Sequence, residues 1–182
     1  VDNSQTQKGL EIYNEQLEHF SKEKIALGAL LCWYMISDSI MKVEGPDKGI
    51  DIATKALDVA KNPKINNFFF TICLKIVLAK AYMIKEDYET SRIYLDKALQ
   101  IAQTYELHDM IARLYLLYGK LYQELGLHKS SKQKEFLKMS GVMYERSLKT
   151  IRKTQNNYLF RELSRAEKVL KSFCELNGIK LS

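Results

Sequence analysis

The sequence predicts an all-α fold of about eight helices, packed as successive antiparallel pairs. Three observations predict it. Apolar residues recur at helical spacing through nearly the whole chain, and strand-like alternation bounded by turn residues is missing. The 182 residues include only 2 Pro and 8 Gly, too few turn formers for a many-stranded barrel or a loop-rich sandwich. Similar residue patterns return at spacings of 42 and 40 positions. With 46% hydrophobic and 27% charged residues, the chain can bury a sizeable core beneath a charged exterior.

Breaks in the periodicity set the helices in order. Ser21 is expected to cap a helix opening at position 22. Gly45-Pro46-Asp47 and Asn62-Pro63 read as turns, because each Pro pushes the preceding residue out of the helical region. Glu86-Asp87, Glu106 to Asp109 and Gly126-Leu127-His128 are the other weak points. Gly126 is read as a helix-ending residue, and Gly178 as the stop of the last helix. The expected helices are 6–20, 22–44, 47–61, 65–85, 87–104, 107–125, 129–154 and 156–177. Connections of two to four residues between helices of this length make neighbours antiparallel.

The internal similarity lies in particular residues. Ile52 to Ala60 matches Tyr94 to Ala102, and Tyr94-Leu95-Asp96-Lys97-Ala98-Leu99 resembles Tyr144-Glu145-Arg146-Ser147-Leu148. Ala81-Tyr82 parallels Leu121-Tyr122. In this pattern the chain resembles the tetratricopeptide repeat (TPR) superfamily, over about residues 6–154 and in the long, ~40-residue form found in bacterial signalling and regulatory proteins. The resemblance assigns Trp33, Ser37, Gly49 and Ala56-Leu57 to one unit, and Leu78-Ala79, Tyr82, Ser91, Leu95 and Ala98-Leu99 to the next. A third unit has Tyr115, Tyr118-Gly119, Tyr122, Gly126, Ser140, Tyr144 and Ser147-Leu148. Small residues stand where the two helices of a pair cross, and Trp33, Tyr82 and Tyr122 are expected to fill the wedge between layers.

The resemblance implies a right-handed α-solenoid of helix pairs in one continuous domain. Residues 1–20 would be the second helix of a preceding repeat, within a longer chain. Repeats would follow at 21–63, 64–105 and 106–154, with a capping helix in 155–182. About nine extra residues, Lys129 to Lys138, interrupt the third unit and either lengthen its second helix or form a basic loop. In the last helix Leu159, Leu163, Ala166, Leu170 and Phe173 form one apolar stripe, as a terminal cap requires.

In this family the first helix of each pair lines the concave face that holds peptides. Transferred residue by residue, the binding positions are Tyr34, Asp38 and Lys42 in the first unit and Ile76, Lys80 and Ile84 in the second. In the third they are Arg113, Leu116, Lys120 and Gln123. Lys80, Arg113 and Lys120 would make the floor basic and suit an acidic ligand. Tyr34 and Asp38 stand where cochaperone members carry part of a carboxylate clamp, which disfavours that subclass.

Chemistry is hardly legible. The sequence holds no phosphate-binding glycine loop, no HExxH and no CxxC, and His19, His108 and His128 fall in different units. Cys32, Cys73 and Cys174 read as reduced core residues of a cytoplasmic protein. No catalytic residue, metal or cofactor is expected, and the chain is not expected to be an enzyme. No run of 18–20 uninterrupted apolar residues is present, so no membrane partner is expected. Net charge is +6, concentrated in residues 128–182, which hold 13 Lys/Arg against 5 Asp/Glu. That charge either coats a solvated helix face or attracts nucleic acid, the less favoured partner class. Phe68-Phe69-Phe70 cannot all face one way on a helix, so it is either inter-repeat core or a contact for a partner or a second copy. The expectation is a protein- or peptide-binding scaffold in a larger cytoplasmic regulator, with a peptide-sensing region of a bacterial transcriptional regulator as the alternative.

Overall fold

A computed structural model describes residues 3–128, 130–154, 156–176, 178 and 180. Eight α-helices follow one another, and no strand occurs among these residues. They are α1 (Asn3–Lys22), α2 (Ala26–Val43), α3 (Pro46–Ala60), α4 (Phe68–Ile84), α5 (Tyr88–Thr104), α6 (His108–His128), α7 (Gln133–Thr154) and α8 (Asn157–Leu176). A single 3₁₀ turn at Ser130–Lys132 precedes α7. The chain forms two compact units, Val1–Ala98 and Leu99–Ser182, dividing within α5.

Three junctions use the same device. Lys24, Glu86 and Glu106 adopt left-handed backbone with φ of 57°, 60° and 53°. The residue after each sends its amide back to the preceding helix: Ile25 to the Phe20 carbonyl, Asp87 to Tyr82 and Leu107 to Ala102, at 2.8, 2.9 and 2.9 Å. Each helix thus ends in a Schellman motif built without glycine. This corrects the sequence reading at Ser21, which lies inside α1 and does not cap α2. The next helices start on side-chain caps where Asx residues allow. The Asn67 side chain accepts from the Phe70 amide at 2.9 Å, which sets the start of α4 at Phe68 rather than at 65. Asp87 accepts from Thr90 and Asn156 from Leu159, both at 3.1 Å. Gly45, at φ 100°, turns the chain into Pro46, which occupies the first turn of α3.

In the first unit, successive helices α1 to α4 pack against one another, and α2 also touches α4. Every residue of α4 from Thr71 to Ala79 is buried, because this helix is apolar on nearly all sides. Leu30, Ala53, Ala56, Leu57, Ala60, Leu74, Val77 and Leu78 form one core, with half-buried Trp33, Phe70 and Tyr94 against it. The small residues sit where helices of a pair cross. A Cβ on Gly49 would fall 2.9 Å from Met41 Cβ and 3.1 Å from the Ser37 carbonyl oxygen. The buried Ser91 hydroxyl donates to the Ala79 carbonyl at 2.9 Å.

The second unit repeats this geometry. The Ser140 hydroxyl donates to the Gly119 carbonyl at 2.7 Å, and a Cβ on Gly119 would lie 2.1 Å from Cε1 of Tyr144. Helices α6, α7 and α8 pack in sequence, and α6 also touches α8, as α2 touches α4. Their core runs from Ala112, Leu116, Leu137 and Tyr144 to Leu159, Leu163, Leu170 and Cys174.

Two sequence expectations change here. Gly126 does not end a helix: it is buried within α6, where a Cβ would meet the Leu137 side chain at 2.8 Å. Of the Lys129–Lys138 insertion, Lys129 lies outside the described residues. The rest is the 3₁₀ turn and the start of α7, so α7 reaches 22 residues against 15 for α3 and 17 for α5.

Candidate functional site

The residues nominated from the sequence divide between the two units. In the first, Tyr34 and Asp38 are half-buried on α2, Lys42 is exposed one turn on, and Lys80 and Ile84 follow on α4. Asp38 joins the two helices. One carboxylate oxygen accepts from Lys80 Nζ at 2.9 Å across 42 residues, and the other from Lys42 Nζ at 2.9 Å along α2. The Asp38 side chain is only 19% exposed. Burial alone would push its carboxyl up, but the Lys80 ammonium, by charge and hydrogen bond, and then Lys42 outweigh that. The carboxyl is held below its usual range.

In the second unit, Lys120 on α6 donates to Glu162 on α8 at 2.9 Å, again across 42 residues. Gln123, one turn from Lys120, accepts the Tyr144 hydroxyl at 2.9 Å. Burial pushes the Tyr144 phenol up, with the Ser140 hydroxyl opposing, so the hydroxyl stays a donor at ordinary pH. Arg113 is half-buried. Positions 38, 80, 120 and 162 therefore fall at intervals of 42, 40 and 42, and within each unit the pair at this position is joined by opposite charges.

Two nominated residues leave the site. Ile76 and Leu116 are 0% and 1% exposed, so neither offers a surface to a ligand. Both are branched aliphatic residues turned into the core by the helices packed around them. The expected basic floor is also altered, since Lys80 and Lys120 are matched by Asp38 and Glu162. The sequence reading missed Glu162, although adding the 42-residue interval to Lys120 points to it. Beside the site positions, Leu27, Leu31 and Phe69 leave apolar surface exposed at 54%, 46% and 41%, and in α8 Tyr158 is 72% exposed. Phe68-Phe69-Phe70 splits: Phe70 enters the core, while Phe68 and Phe69 stay exposed.

The wedge aromatics are not all equivalent. Tyr82 stacks on Tyr94 with centroids 5.7 Å apart and planes at 10°, and Tyr122 stacks on Phe136 at 6.3 Å and 17°. Trp33 corrects the expectation. The 42- and 40-residue intervals align it with Lys75 and Tyr115, and it lines a shallow cleft of about 190 Å³ with Asn14, Leu17, Ile36, Ile52 and Lys55.

No group of three or more His, Cys, Asp or Glu among the described residues could hold a metal ion. Cys32 and Cys174 are buried, and burial pushes both thiols up, away from the reactive thiolate. Among the described residues one helix, α2, is long and apolar enough to cross a membrane, at a mean hydropathy of 1.3 over 18 residues. Its Leu30, Cys32, Ile36, Ser37 and Met41 are buried in the first unit, and its Asp38 is paired. No protein-family model matches the chain, and no curated protein matches it.

Proposed function

We propose that this chain is a protein- or peptide-binding scaffold of TPR-like repeats, one region of a larger cytoplasmic regulatory protein. One observation carries the reading. Within each unit the first helices of two successive pairs carry a polar, partly exposed position, Asp38 with Lys80 and Lys120 with Glu162, and exposed apolar side chains lie on the same helices. Such a face offers charge for register and apolar area for affinity. The ligand need not be strongly acidic, because Asp38 and Glu162 offset Lys80 and Lys120.

The test is a calorimetric titration against peptide pools, with wild type compared with Ile84→Glu and Arg113→Glu. Ile84 is 56% exposed, so its replacement leaves the core alone. Binding weakened at least tenfold with circular dichroism unchanged supports the reading. A peptide held equally by wild type and both variants refutes these faces as the site.

A second reading, nucleic-acid binding by the basic end of the chain, has one observation in its favour. Tyr158 is 72% exposed, and Arg161 and Arg165, three and seven residues on along α8, share its face and are exposed, an arrangement suited to stacking a base beside phosphate contacts. Filter binding at two salt concentrations separates the readings, since phosphate contacts weaken steeply with salt.

A further inference from the structure

Lys75 is the one charged side chain buried among the described residues, at 7% exposure. It leaves α4 towards α5, where its Nζ lies 6.0 Å from the centre of the Tyr94 ring. Tyr94 is itself held by stacking on Tyr82. Among the described residues Lys75 has no hydrogen bond or ion pair; the charges that act on it are those of Lys61, just past α3, and Lys97 of α5. Lys61 and Lys97 are exposed. No fully buried side-chain nitrogen or oxygen among the described residues lacks a partner, so the unpartnered Nζ of Lys75 reaches solvent.

The contrast with the rest of the protein is physical. The other half-buried lysines at helix contacts are matched, Lys80 by Asp38 and Lys120 by Glu162. A buried cation beside two further cations is costly unless an anion joins them. We propose that Lys75, Lys61 and Lys97 form an anion site that takes a phosphoryl group or a comparable divalent oxyanion. Lys75 forms the fixed base against Tyr94, and two exposed lysines complete it, Lys61 at the C-terminal cap of α3 and Lys97, one turn on from Tyr94 in α5. A dianion matches three ammonium groups better than a single carboxylate does, and its several oxygens can accept from all three. Burial, then Lys61 and Lys97, hold the Lys75 ammonium below its ordinary pKa. A bound dianion reverses that. The site is independent of the peptide-binding faces.

The experiment titrates inorganic phosphate and O-phosphoserine against the protein at constant ionic strength, with chloride as the reference. It follows the melting midpoint and the Lys75 side-chain resonance by nuclear magnetic resonance. Phosphate should raise the midpoint saturably and move the Lys75 titration to higher pH. Lys75→Met keeps the volume without the charge and should lose at least tenfold in apparent affinity, and Lys97→Gln several-fold. Phosphoserine binding as tightly as phosphate identifies a phosphorylated side chain as the source, and phosphate alone a free ion. No response beyond chloride, or an equal response in Lys75→Met and wild type, overturns the proposal.

Discussion

Replacing Gly119 by Ala tests the helix crossing of the second unit directly. Carbon atoms attract best at about 3.5–4.0 Å and repel steeply inside that. The new Cβ would lie 2.1 Å from Cε1, 2.3 Å from Cδ1 and 2.9 Å from Cζ of Tyr144. The ring must move by more than about 1 Å. It has little freedom to do so, being 1% exposed and tied to Gln123 through its hydroxyl. Overpacking of this kind costs about 1–3 kcal/mol, and loss of the Tyr144–Gln123 bond adds about 1 kcal/mol. Ala returns about 0.5–1 kcal/mol of helix propensity. The expected net loss is about 1–3.5 kcal/mol. Gly9 is the internal control: it lies in α1, and a Cβ there would meet nothing within 4 Å. Gly9→Ala should therefore stabilise by about 0.5–1 kcal/mol. Urea unfolding followed by circular dichroism, with hydrogen exchange of the α6 and α7 amides, measures both. Gly119→Ala as stable as wild type would refute the crossing. Adding Tyr144→Leu should relieve part of the Gly119→Ala cost, giving a double-mutant coupling of about 1 kcal/mol or more.

Three further outcomes are expected. Asp38→Asn should destabilise by about 1–2 kcal/mol at pH 7, since it strips a charge-assisted bond from Lys80 at a site less than one-third exposed. Because the native carboxyl is held below its unfolded value, that contribution is present above the unfolded carboxylate pKa and lost as pH falls through the native one; urea midpoints of wild type and variant should converge in acid. Glu86→Gly and Glu106→Gly should each gain about 0.5–1 kcal/mol, because left-handed backbone costs a side-chain-bearing residue about 1–2 kcal/mol and glycine's extra unfolded freedom returns part of it; a fall in melting midpoint for both would refute the Schellman assignment. Asn67→Ala should cost about 1 kcal/mol by removing the cap of α4, read as a lower thermal midpoint and faster exchange of the Phe70 amide.

The helices are legible in the sequence because their apolar spacing is a property of short stretches of chain. The crossings are legible too: Ser37, Ala79 and Gly119 in first helices, and Gly49, Ser91 and Ser140 in second ones, are small for a reason that repeats. Junctions are less so. Lys24, Glu86 and Glu106 take a conformation for which glycine is the usual sign, and nothing local in those residues announces it. Gly126 sends the opposite signal, since a glycine pressed against Leu137 and one that ends a helix look alike in sequence. The caps at Asn67, Asp87 and Asn156 are readable in principle from an Asx residue just before an apolar run. At the site, the resemblance places Asp38, Lys80 and Lys120 on partly exposed helix faces but cannot reveal that opposite charges join them in pairs, because pairing depends on which helices touch. Burial of Ile76 and Leu116 is hidden for the same reason.

The 42-residue interval also explains why α8 differs from α6. Carried forward from α6, Gly119 becomes Arg161 and Gly126 becomes Lys168, while Lys120 becomes Glu162. On α6 the two glycines admit Tyr144 and Leu137 of α7 at distances no side-chain-bearing residue allows. On α8 the same two positions are exposed cations. A helix seated there as α7 sits on α6 would bury two charges without partners, at a cost of several kcal/mol per ion. The charge that keeps contact with α6 is Glu162, and the buried stripe of Leu159, Leu163 and Leu170 faces the same core. α8 therefore keeps the inward half of a repeat's first helix and replaces the half that would receive a second. A variant with Arg161→Gly and Lys168→Gly should expose an apolar-compatible face and increase self-association in analytical ultracentrifugation. An unchanged sedimentation profile would show that something other than these two cations closes this face.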